Sequence, residues 1–168
     1  MEFAFWGCFI FIAAAFITDM KSMKIPNVIS MSAVVSGLLF GWINGGWEGV
    51  LVSIKGMGAG FGILLMLYFV RAVGAGDVKI FAGIGAWTGT TFTMHSFMYS
   101  ILFAGLIGLV IMLWRREAVI RLRLLARRVI SVIMFRNFSP ITSGQSEHLQ
   151  FPFMVAVLPG VIAAYLYV

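Results

Sequence analysis

Asp19 and Asp77 are the only aspartates in the sequence, and the other acids are Glu2, Glu48, Glu117 and Glu147. Asp19 heads the run Asp19-Met20-Lys21-Ser22-Met23-Lys24-Ile25-Pro26-Asn27. Pro26 disfavours helix at Ile25, and Asn27 suits the cap of a following helix. The chain is therefore expected to leave one helix at Asp19, make a short constrained crossing and enter another. Asp77 lies in Gly74-Ala75-Gly76-Asp77-Val78-Lys79, where the glycines let the backbone take unusual angles and come close to another chain. Two carboxylates brought together cannot both ionise easily, so they share a proton and titrate as a pair. The ionised member takes a proton from water, and the protonated member hydrogen-bonds a scissile carbonyl. That is peptide hydrolysis without a covalent intermediate. Lys79 stands close enough in sequence to tune such a pair. Each acid also has a plain structural alternative: Asp19 as a helix-end residue paired with Lys21 and Lys24, Asp77 as a helix N-cap.

Other chemistries find little support. The single cysteine, Cys8, excludes an internal disulfide and any CxxC zinc site, and it lies in an apolar run that suits packing. His95 and His148 are expected on opposite sides of a membrane, so no metal site, no cofactor site and no Ser/His/acid set is expected.

The elements that must position the aspartates are membrane helices. The 168 residues are 61% hydrophobic and 11% charged, against roughly 25% charged in an average soluble domain. A soluble enzyme, a disordered tail and a nucleic-acid module are poor fits; the +6 charge reflects topology rather than nucleic-acid binding. The fold class expected is an all-α integral membrane protein with about six transmembrane helices. These run near 3–18, 28–44, 49–73, 78–94, 96–114 and 151–168, in a single polytopic domain covering 1–168. Eleven of the 12 basic residues fall on one side of that arrangement, and only Lys55 on the other. Positive charge stays inside, so both termini are expected outside and both aspartates at the cytoplasmic boundary of the membrane. Within the basic cytoplasmic segment, about 115–150, an apolar stripe of Val119, Leu122, Ala126, Val129, Ile130 and Ile133 is flanked by arginines. This predicts an interfacial amphipathic helix with Arg121, Arg123, Arg127 and Arg128 on anionic lipid headgroups. Gly56, Gly58, Gly60 and Gly62 form two small-xxx-small pairs suited to close helix packing.

Asp-x5-Ile-Pro-Asn, followed by Gly-x-Gly-Asp-Val-Lys, resembles the motif pair of the type IV prepilin peptidase family of GxGD membrane aspartic proteases. The similar six-span layout extends the resemblance over nearly the whole chain. It implies that Asp19 and Asp77 are the catalytic pair, with Gly74, Gly76, Lys79, Pro26 and Asn27 as supporting residues. It also implies a prepilin substrate cut at the cytoplasmic boundary, just before its apolar segment, and pilus assembly machinery as a further partner. Phe151-Pro152-Phe153 resembles a degraded form of the Pro-containing motif before the family's last span. The larger members carry an N-terminal segment with paired CxxC motifs, which has no counterpart here; that puts N-methyltransferase activity in doubt. The chain resembles the short members that serve Flp (tight-adherence) pili, or related archaeal enzymes. The competing readings are a proton- or cation-coupled transporter using Asp19 and Asp77, and a non-catalytic scaffold working through its arginines.

Overall fold

The computed structural model describes residues 2–23, 25–70, 72–114 and 153–167. The described residues form four helices: α1 (Glu2–Ser22), α2 (Asn27–Phe69), α3 (Ala75–Trp114) and α4 (Met154–Tyr167). Three of them are long and apolar enough to cross a membrane, and α4 is a shorter apolar helix. The chain divides into two compact units, residues 1–104 with 151–168 and residues 105–150. Of the second unit the described part is the end of α3. The segment expected to form the interfacial helix, with Arg121, Arg123, Arg127 and Arg128, lies outside the described residues.

Glycine breaks both long helices. α2 is interrupted at Gly46 (φ 54°, ψ −135°) and α3 at Gly89 (φ 79°, ψ −177°). Both angles lie in the left-handed half of conformational space that a side chain rarely tolerates. Each break turns the helix back on itself. Ser53 hydrogen-bonds Gly37 O at 3.5 Å across the first, and Phe81 meets Phe97 edge-on at 6.3 Å across the second. The first break falls where hydropathy predicts a loop. The second does not, because the boundary is expected at His95. The polar histidine marks the end of an apolar run, but Gly89 supplies the backbone freedom to turn, and His95 sits within helix, its Nδ1 against Thr91 O.

The first arm of α3 is central. Val78, Ile80, Phe81, Ala82, Ile84 and Ala86 are all buried, as expected of a helix apolar on every face. Trp87 at its far end donates to Ala33 O (3.0 Å) and Ser36 Oγ (3.2 Å) on α2. Glycines allow the other approaches. A Cβ on Gly56 would strike Gly85 O and the Gly89 backbone, and one on Gly60 would strike Phe81 O. α1 and α4 lie antiparallel: Phe5 stacks on Tyr165 with centroids 3.9 Å apart, and Asp19 at the opposite end of α1 meets Met154 at the start of α4.

Candidate active site

Helical periodicity delivers Asp19 to the interior. Phe5, Cys8, Ile12, Ala15 and Asp19 are the buried residues of α1, spaced three or four apart so that they share one face. α1 does not end at Asp19, as expected from the sequence, but runs to Ser22. The aspartate lies in its last turn. Termination falls to Met23, whose φ of 50° leaves the helix and whose N–H closes on Asp19 O at 2.8 Å. Proline then acts as the sequence suggests: Ile25 is non-helical, and Pro26 (φ −60°, ψ 137°) is the N-cap of α2. Asn27 does not cap the helix. It is the first helical residue, and its Oδ1 accepts from Lys79 Nζ at 2.8 Å. The cap position belongs to Pro26, which has no polar side chain, so Asn27 is free to reach across to α3.

Asp77 is the third residue of α3, not its N-cap. Its Oδ2 accepts the N–H of Gly74 at 3.0 Å. This is the reach-back half of a capping box, in which an acid in the first turn satisfies the N–H just ahead of the helix. Gly74 and Gly76 are absent from the positive-φ positions, so space rather than unusual angle is what they supply. A Cβ on Gly76 would lie 3.0 Å from Ile25 Cβ, and one on Gly74 would lie 3.3 Å from Asp77 Oδ2. The close approach expected of the glycine motif is therefore made to the Pro26 crossing itself.

The two aspartates, 58 positions apart in sequence (77 − 19), line one cavity of about 330 Å³ together with Met23, Ile25, Asn27, Gly74, Ala75, Gly76 and Lys79. Each aspartate is only 7% exposed. Asp19 Oδ2 accepts the backbone N–H of Met154 at 3.3 Å; of the lysines in the alternative reading, Lys21 is exposed and Lys24 lies outside the described residues. Lys79 is turned to Asn27, tying the start of α2 to the first turn of α3. Among the described residues no group of three or more His, Cys, Asp or Glu gathers as a metal site.

Of the residues singled out from sequence, Asp19, Asp77, Gly74, Gly76, Lys79 and Asn27 line the cavity, and Pro26, which is exposed, does not. Sequence reasoning missed Met23, Ile25 and Ala75 as lining residues, and Met154 as a donor. Ile25 was discoverable, since it precedes a proline in the crossing beside Asp19. Met154 was not, since what it contributes is a backbone N–H.

A family model described as the type IV leader peptidase family matches residues 6–110, which include both aspartates. The chain is 31% identical over 123 residues to the prepilin leader peptidase/N-methyltransferase of Pectobacterium carotovorum subsp. carotovorum, covering 67% of this chain and 42% of that protein. It is 28% identical over 115 residues to the proteins of the same name in Aeromonas hydrophila and Aeromonas salmonicida, covering 64% of this chain and 39% of each. The chain thus spans about two fifths of the length of these curated relatives. No solved structure matches it.

Proposed function

Because the chain belongs to the type IV leader peptidase family, we propose that it is a membrane-embedded aspartic endopeptidase that removes the basic leader of a prepilin, with Asp19 and Asp77 as its catalytic pair. The observation that carries the reading is that both aspartates of the sequence line one cavity. In the step this arrangement serves, the ionised carboxylate takes a proton from water as the oxygen attacks the scissile carbonyl carbon. The carboxyl that holds the shared proton hydrogen-bonds the carbonyl oxygen as it becomes an alkoxide. Collapse of the tetrahedral intermediate breaks the C–N bond, and the leaving amine takes up a proton.

The finer reading extends from this. The arms of α2 and α3 on either side of Gly46 and Gly89, with α1 and α4, supply six helical segments for six crossings. The arm 27–45, at ~1.5 Å per residue, is about 28 Å long, close to the ~30 Å hydrocarbon core. The charge bias then sets the cavity on the cytoplasmic side of the inner membrane and both termini outside. A prepilin with a cytoplasmic basic leader would present its cleavage site there. The arginines of 115–136 would meet anionic lipid, the substrate would be of the Flp type, and pilus assembly machinery would be a further partner. No observation favours the transporter reading, since both acids stand at helix ends.

The test is co-expression with Flp-type prepilins, reading the mass shift of the pilin. Cleavage by the wild type should fall by at least about a hundredfold in Asp19→Asn and in Asp77→Asn, with membrane levels equal. Cleavage that survives either replacement would sink the pair.

A further inference from the structure

We propose that the backbone N–H of Met154 positions Asp19 for catalysis, which makes the start of α4 a working part of the site. The proposal rests on the peptidase reading. It concerns a residue outside the 6–110 segment that the family model matches.

Met154 is the first residue of α4, so its N–H has no acceptor within its own helix. Phe153 O accepts from Ala156 N and Val157 N at 2.9 and 3.2 Å, which closes the first turn and fixes Met154 as the helix start. Met154 is 0% exposed, so water does not reach it, and a buried N–H left without a partner is costly. Asp19 Oδ2, at 3.3 Å, is the acceptor that the structure supplies. The two acids are held differently. Asp77 is fixed by Gly74, three residues away on the same stretch of chain. Asp19 is fixed by a donor 135 residues away. That donor is rigid: Met154, Val157, Val161 and Ala164 all join the hydrophobic core, and the Phe5–Tyr165 stack at the far end sets the register of α1 on α4. An aspartate side chain otherwise rotates about two torsions, and a main-chain donor on a packed helix removes that freedom.

Proline provides a selective probe. At the first position of a helix its missing N–H and fixed φ are tolerated, so Met154→Pro deletes the donor and keeps the helix start. Met154→Ala removes the same packing and keeps the donor. With purified protein in lipid vesicles and a cleavable prepilin, kcat of Met154→Pro should fall ~10–100-fold below that of Met154→Ala, with KM within about threefold, because a misplaced catalytic group loses rate rather than binding. A second measurement needs no activity. Amide hydrogen exchange at Met154 should be about tenfold faster or more in Asp19→Ala than in the wild type, while Val161 in the same helix keeps its rate. A wild type that cleaves no prepilin overturns the peptidase reading and this proposal with it. A wild type that cleaves, beside a folded proline variant with the kcat of the alanine variant, overturns the positioning role alone. If the proline variant does not fold, exchange decides: acceleration at Met154 supports the contact, and an unchanged rate overturns it.

Discussion

Gly76 shows how little room there is around the aspartates. Its missing Cβ would stand 3.0 Å from Ile25 Cβ, tighter than two carbons settle without one of them moving. Gly76→Ala should therefore push Ile25 and the first turn of α3 apart, cost about 1–3 kcal/mol, and lower kcat, because Asp77 is the next residue. Thermal unfolding and prepilin turnover measured on one preparation check both halves; equal melting and equal turnover would show that the Pro26 crossing yields freely. The motif was legible in the sequence, since two aspartates stand out in a chain this poor in charge. The reason for its glycines was not. Conformational freedom and close approach are both things glycine offers, and only the dihedral angles and the position of Ile25 separate them. Asn27 is a similar case: asparagine beside a helix start reads as a cap, and nothing local shows that Lys79 is within reach.

The glycine pattern of α2 was legible as a packing device, but not which of its two faces packs. Gly56 and Gly60 face α3, where any Cβ would meet main-chain atoms, whereas Gly58 and Gly62 have nothing within 4 Å. A periodicity of four fits both pairs equally, so the choice depends on how the arm after Gly46 is rotated, which local sequence does not encode. Gly56→Leu should wedge α2 from α3 and cost about 1–3 kcal/mol, whereas Gly58→Leu should stay within about 0.5 kcal/mol of wild type. Unfolding of the two variants side by side in one detergent is the check, and a Gly58→Leu variant as unstable as Gly56→Leu would contradict this rotation. Element ends were legible where proline or glycine sets them, as at Pro26 and Gly46. They are not legible where a polar residue mimics a boundary, as at Asp19 and His95. Inside a protein a helix can carry a polar side chain onward as long as it faces a partner, and Asp19 has Met154.

For the whole molecule, the site is assembled from the last turn of α1, the first turn of α3 and the start of α4, elements far apart in the chain that share one cavity or touch its acids. Charge counting gives that assembly a direction, and direction can be measured without any substrate. The native thiol does not interfere, since Cys8 is 3% exposed within the core and should take no label from a membrane-impermeant maleimide. Ser22, at the end of α1, and the exposed Glu48, just past the Gly46 turn, flank the arm 27–45 at its two ends. If basic residues hold the crossing between α1 and α2 inside, Glu48→Cys should be labelled in right-side-out vesicles and Ser22→Cys only in inverted ones. The reverse pattern would put the aspartates on the outer face, where no leader that stays in the cytoplasm could reach them. Labelling of both from the same side would mean that the arm from Asn27 to Gly46 does not cross, and the six-crossing arrangement would fail with it. Labelling from opposite sides in the expected sense would fix the crossing made by 27–45 and put the α1–α2 turn, beside the cavity, on the side from which a basic leader would enter.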